Sequence, residues 1–262
     1  MRDESKLDVE SARSASAKEI RSLIHAAQEE ALLELLENPV LDEEHVSQLL
    51  ERLDLSAKVL ATVAERREWV AKEGIRLRLA RHPRTPRRIS LSLLRHLFLF
   101  DLVRVSLLPS APAEIRRVAE EIIIARIPHL RVGEKLTLAR RGPARVAGAM
   151  LAEGHAQAVK LALANTFLTE SQVLKVLAKP GVSERVVAAI SQHAKWSRQY
   201  NVRVALARNP KTPVPIVLEI LPDLTLGDLK EIENLDTLAP RLRKYIQQEQ
   251  SRRAGEAAAT GN

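Results

Sequence analysis

Cysteine is absent from all 262 residues. No disulfide, thiolate nucleophile or Cys-ligated metal site is open to this chain, and a reducing cytoplasm is the expected compartment. Aromatic residues make up only 3%, so platforms for stacking nucleobases are few. Glycine occurs nine times, and neither a P-loop nor a GxGxxG or GxSxG pattern is present. The seven histidines are scattered, without an HExxH pair, so no metal or cofactor is expected. No apolar run approaches the ~20 residues of a membrane helix. The opening "MRDESKLDVESARSASAKE" is polar and mixed in charge, unlike a secretory signal.

What the chain does have is 45% hydrophobic content, carried by Leu, Ala, Ile and Val. These straight-chain and small residues fit between packed helices, and few segments alternate like strands. The expected class is all-α. The formal charge is +8, unevenly spread. Between positions 75 and 145, sixteen Lys and Arg face five Asp and Glu, a local excess of +11 that leaves −3 for the rest of the chain. Clustered positive charge is a candidate anion footprint.

The chain nearly repeats itself. "RLARHPRTP" (78–86) returns as "ALARNPKTP" (205–213), an offset of 127 from His82 to Asn209. At that offset "ENPVLDEEHV" (37–46) falls on "ANTFLTESQV" (164–173), and Ser56 on Ser183. The only two tryptophans, Trp69 and Trp196, pair as well. A gapless match of this length predicts two tandem copies. The reading places a disordered tail at 1–17, a first copy at 18–121 and a connecting helical repeat at 122–148. A second copy follows at 149–248 and a disordered tail at 249–262.

Within each copy the same punctuation recurs. Pro83 ends one helix and biases His82 away from the α region. Thr85 is then expected to N-cap the next helix, with Pro86 at its first position. Pro210, Thr212 and Pro213 are expected to repeat this, and Thr169 with Gln172 to form a capping box. Val46, Leu49, Leu50 and Leu53 predict one apolar helix face. Stripes this short need neighbours on both sides, which stacked units supply.

"VRVALARNPKTPVPIVLEIL" (202–221) and "VKLALANTFLTESQVLKVLA" (159–178) resemble units of the leucine-rich-repeat-variant and HEAT-like helical repeats. The segment 130–170 is similar to a bacterial group of uncharacterised HEAT-like proteins. The resemblance covers residues 20–248 and implies an armadillo-type, right-handed α-solenoid of stacked short helices. It carries no catalytic residues to transfer. Some leucine-rich-repeat-variant proteins have a Cys-rich iron–sulfur part, which this chain cannot reproduce.

Candidate site residues follow from the charge. Arg78, Arg84, Arg87, Arg88 and Arg95 are candidate partner- or anion-binding residues. The helix macrodipole explains Arg78, but it does not explain Arg87 and Arg88 at a helix start. Trp69, Trp196, Pro83, Pro210, Thr85 and Thr212 are structural repeat positions. Asp101 and Asp228 match across the copies and read as caps or salt-bridge partners. The leading expectation is a non-enzymatic scaffold binding a protein or peptide of acidic character. The alternative is a nucleic-acid-binding solenoid using the basic 76–145 region, an enzyme like the HEAT-like DNA glycosylases included.

Overall fold

The computed structural model describes residues 12–236, 238 and 240–260, the last five by backbone alone. All regular structure among them is helical, and the chain divides into two compact units, Met1–Arg126 and Ile127–Asn262. The division falls inside the segment expected to connect two copies.

The first unit holds α1 (Ala17–Ala26), α2 (Glu29–Leu35), α3 (Glu43–Leu49), α4 (Ala57–Glu65) and a short α5 (Arg67–Ala71). It continues with α6 (Glu73–Arg81), α7 (Arg87–Leu94), α8 (Leu99–Leu107) and α9 (Ala113–Arg126). Helices of seven to ten residues are marginal alone, so each is held by its neighbours. The neighbours alternate. α1 packs on α3, α3 on α6 and α6 on α8, while α2 packs on α4 and α7 on α9. Two rows of short helices result, with a core of Leu, Ile, Val and Ala between them.

The second unit is built alike. It contains α10 (Val132–Arg141), α11 (Ala144–Glu153), α12 (Ala156–Leu163), α13 (Glu170–Leu177) and α14 (Glu184–Gln192). Then come α15 (Tyr200–Arg208), α16 (Val214–Ile220), α17 (Leu226–Glu233) and α18 (Pro240–Thr260). One row runs α11, α13, α15, α17, and the other includes α10, α12 and α14. Stacked, repeat-like helices are therefore the architecture of both units. The starts of α11–α18 fall 127 residues after those of α1–α4 and α6–α9, as at Ala17 and Ala144 or Ala113 and Pro240.

The same buried polar ties recur at that offset. Asn38 Nδ2 donates to the Ala12 and Ala15 carbonyls, and its Oδ1 accepts from Val40 N–H. Asn165 donates to Ala139 and Gly142 and accepts from Phe167 N–H. Arg126 reaches back to the carbonyls of Leu97 and Arg95, and Arg253 to those of Leu224 and Pro222. The asparagine ties satisfy carbonyls that would otherwise be buried without partners, and the arginine ties reach carbonyls that are partly exposed.

Several local expectations change. Pro86 and Pro213 occupy the N-cap itself, because the Pro86 carbonyl accepts from Ser90 N–H and the Pro213 carbonyl from Val217 N–H. Thr85 and Thr212 thus sit one residue before the cap, turned inward and buried. Thr212 Oγ1 donates to the Leu206 carbonyl at 2.6 Å, whereas Thr85 Oγ1 has no partner among the described residues. Thr169 is an N-cap residue without a side-chain cap bond, so the capping box with Gln172 does not form. Ser56 and Ser183 do cap, accepting from Val59 and Val186 N–H. α3 ends at Leu49, so Leu53 lies past the helix and is 62% exposed, outside the stripe made by Val46, Leu49 and Leu50. Where a disordered tail is expected from 249, α18 runs on to Thr260, with Glu249 held at a pKa of about 2 by Arg252 and Arg253. Of the expected tail at 1–17, residues 1–11 lie outside the described residues, and Ala12 and Ala15 are buried.

Candidate functional site

The basic stretch of the first unit is largely engaged with the protein itself. Arg78 Nε donates to Glu51 at 2.9 Å and its guanidinium also reaches the Gly74 carbonyl. A Cβ at Gly74 would sit 3.3 Å from that guanidinium, so glycine here leaves Arg78 its space. Arg81 shares the Glu51 carboxylate at 3.4 Å. Arg84 donates to the Asp54 carbonyl, and Arg52 binds the Asp54 carboxylate and holds its pKa at about 2. Arg87 makes a two-pronged pair with Glu114 at 2.6 Å on each arm. That pairing accounts for a cation at the start of α7, which the macrodipole alone disfavours. Arg88 and Arg95 are exposed, with no ion-pair partner among the described residues.

The two tryptophans occupy matching joints but different surroundings. Trp196 is 1% exposed, and its Nε1–H donates to the Leu163 carbonyl. Lys195 Nζ lies 4.1 Å from its ring centroid. Trp69 sits half-buried in α5, and its buried Nε1 has no partner among the described residues. Pro83 and Pro210 are both exposed in the turns that end α6 and α15. Asp101 is buried in the first turn of α8, paired with Arg104 at 3.1 Å. Its hydrogen bond with Glu73 raises the Glu73 pKa. Asp228 accepts from Thr225 Oγ1 and the Tyr200 hydroxyl, which lower its pKa.

A well-formed opening lies wholly in the second unit. It is a groove of about 650 Å³ between facing sides of α13 and α15, closed at one end by the turns holding Pro180 and Pro210. Leu174 lies one helical turn before Leu177 on α13 and before Ala178 at its C-cap, and Val204 and Ala205 lie one turn before Arg208 on α15. The lining is mainly apolar. Lys179, Arg208 and Lys211 are its cations, against the single carboxylate of Asp228. Arg208 is already paired with Glu231 and lies 3.7 Å from Asp228. Lys211 Nζ donates to the Val182 carbonyl, not to a carboxylate. Lys179 is exposed, with no ion-pair partner among the described residues. The volume is in the usual range for ligand pockets, roughly 300–1,000 Å³.

The first unit has the same groove in reduced form, about 260 Å³, lined by Leu50, Glu51, Arg78, Arg81, His82 and Pro83 among others. At the offset of 127, Glu51 and Arg78 fall on Ala178 and Ala205. An ion pair therefore spans the groove in one unit, and two methyl groups leave it open in the other. Sequence reasoning singled out Arg78, whose counterpart is Ala205, and passed over Glu51 and Ala178. The signal that would have found them is the loss of both pair members together.

The described residues hold no group of three His, Asp or Glu side chains placed to bind a metal. None of their helices is long and apolar enough to cross a membrane. No protein-family model matches the chain, and neither a curated protein nor a solved structure shows significant similarity to it.

Proposed function

We propose that this chain is a non-enzymatic helical-repeat scaffold of the HEAT-like, leucine-rich-repeat-variant kind, built from two tandem copies and binding a protein or peptide of acidic character. The right-handed stacking expected of such repeats belongs to the same proposal. The observation that carries the binding role is the second-unit groove, apolar along its floor and cationic at its rim. Extended partners suit a row of short helices, because successive helices offer successive shallow contacts. The tandem origin is supported by Asn38 and Asn165, whose three hydrogen bonds each match at the same offset.

The nucleic-acid reading has less support. Phosphate contacts by Arg78, Arg84 or Arg87 would have to displace Glu51, the Asp54 carbonyl or Glu114. Binding of a fluorescent DNA duplex, titrated with salt, tests it. Phosphate-driven association weakens steeply as salt rises. The scaffold reading predicts no salt-sensitive complex at physiological ionic strength, and a tight one would replace it. Selection of displayed random peptides against the full chain tests the scaffold reading directly. Enrichment of a defined peptide class is the expected result.

A further inference from the structure

We infer that the groove between α13 and α15 is the docking site, and that its occupant is an extended peptide with an apolar anchor followed by carboxylates. This rests on the peptide-binding reading and gives it a place and a chemistry. The anchor follows from the floor: Leu174, Leu177, Val204 and Ala205 offer no hydrogen-bonding side chain. Polar residues entering there would lose water without compensation. The carboxylates follow from the rim. Lys179 and Lys211 lie at the proline-containing end of the groove, and neither has an acidic partner among the described residues. Arg208, toward α17, is already met by the carboxylates of Glu231 and Asp228. The uncompensated charge is thus positive and confined to one end, which sets the direction of the peptide as well as its sign.

The chain supplies its own control. In the first unit a carboxylate, Glu51, already occupies the equivalent groove and meets two arginines, Arg78 and Arg81. The counterparts of Lys179 and Lys211 there are Arg52 and Arg84, and Asp54 meets Arg52 with its carboxylate and Arg84 with its carbonyl. Gly181 stands at the position of Asp54 in the second unit, so the acid that Lys179 and Lys211 lack comes from the occupant.

The test uses random dodecapeptides displayed on phage and selected against the full-length chain at physiological salt. Enriched sequences are expected to pair one or two large apolar residues with Asp or Glu. Their synthetic forms should bind A178E/A205R at least about 10-fold more weakly, since this variant rebuilds the first unit's ion pair in the groove. Its thermal midpoint should stay close to wild type. Should that variant fail to fold, K179E replaces it, with about 10-fold weaker binding expected at an exposed position. If enriched peptides bind these variants as tightly as wild type, the groove is not the site, while peptide binding itself stands. If basic or neutral peptides are the ones that need the groove, the acidic occupant is wrong. If no peptide class is enriched, the scaffold reading fails and this inference with it.

Discussion

The two units carry one helical framework and two different surfaces. In the first, Glu51, just past α3, pairs with Arg78 on α6 and leaves about 260 Å³. In the second, Ala178 and Ala205 leave about 650 Å³ between the corresponding helices. The ties inside the stack match atom for atom at Asn38 and Asn165, while the residues facing solvent diverge. Framework residues answer to burial and to unpaired backbone groups, which cost the same in either unit. Groove residues answer only to what lies outside, and there the units part.

The sharpest way to break that comparison is to remove the shared tie. Asn165→Ala leaves two carbonyls and one N–H buried without partners, and should cost about 2–4 kcal/mol. Asn38→Ala should cost a similar amount, since it makes the same bonds. Urea unfolding of both variants checks this, and a large inequality would undo the equivalence of the two units.

The tryptophans should separate the units. Trp196→Phe loses a buried hydrogen bond and ring volume, at about 2 kcal/mol. Trp69→Phe removes a donor that has no partner, so it should cost under about 1 kcal/mol. Thermal unfolding distinguishes these from equal effects, which would contradict the different surroundings.

A smaller difference is expected in acid. His82 Nδ1 accepts from Arg84 N–H, so Nε2 carries the proton and donates to the Arg52 carbonyl. Burial lowers its pKa below the ordinary 6.5, against the hydrogen bond to the Arg52 carbonyl, with Arg84 and Arg81 adding repulsion and Asp54 opposing them. The unfolded chain then takes up the proton first as pH falls. The contribution is complete above pH 6.5 and is lost toward the lower folded value. His82→Asn, which copies Asn209 of the second unit, should flatten stability between neutral and mildly acid pH. Urea midpoints across that range are the measurement, and an unchanged slope would refute the assignment.

The least effect belongs to the most visible charge. Arg87 and Glu114 form an exposed pair, and Arg87→Ala should leave the urea midpoint within error at physiological salt.

The framework was legible because helix stops, caps and buried polar residues impose themselves on the chain locally. Pro83 and Pro210 mark turns in any context, and the Asn or His before them binds its own turn. The cap shifted by one residue because Thr85 and Thr212 turn their hydroxyls inward, which depends on the neighbouring helix. The site was not legible for a stronger reason. Arg78 reads as a free cation until Glu51, 27 positions away, is known to face it. Ala178 and Ala205 carry no chemical signal by themselves, only against Glu51 and Arg78 as a pair. Their meaning is the space they leave between two helices, and that exists only after folding.

Hydrogen–deuterium exchange of the full chain, with and without a selected acidic peptide, tests the difference between the units in one measurement. Added protection is predicted at 174–182 and 200–211, with none at the equivalent 47–55 and 73–84. Equal protection of both pairs of segments, or protection of the first unit alone, would contradict it.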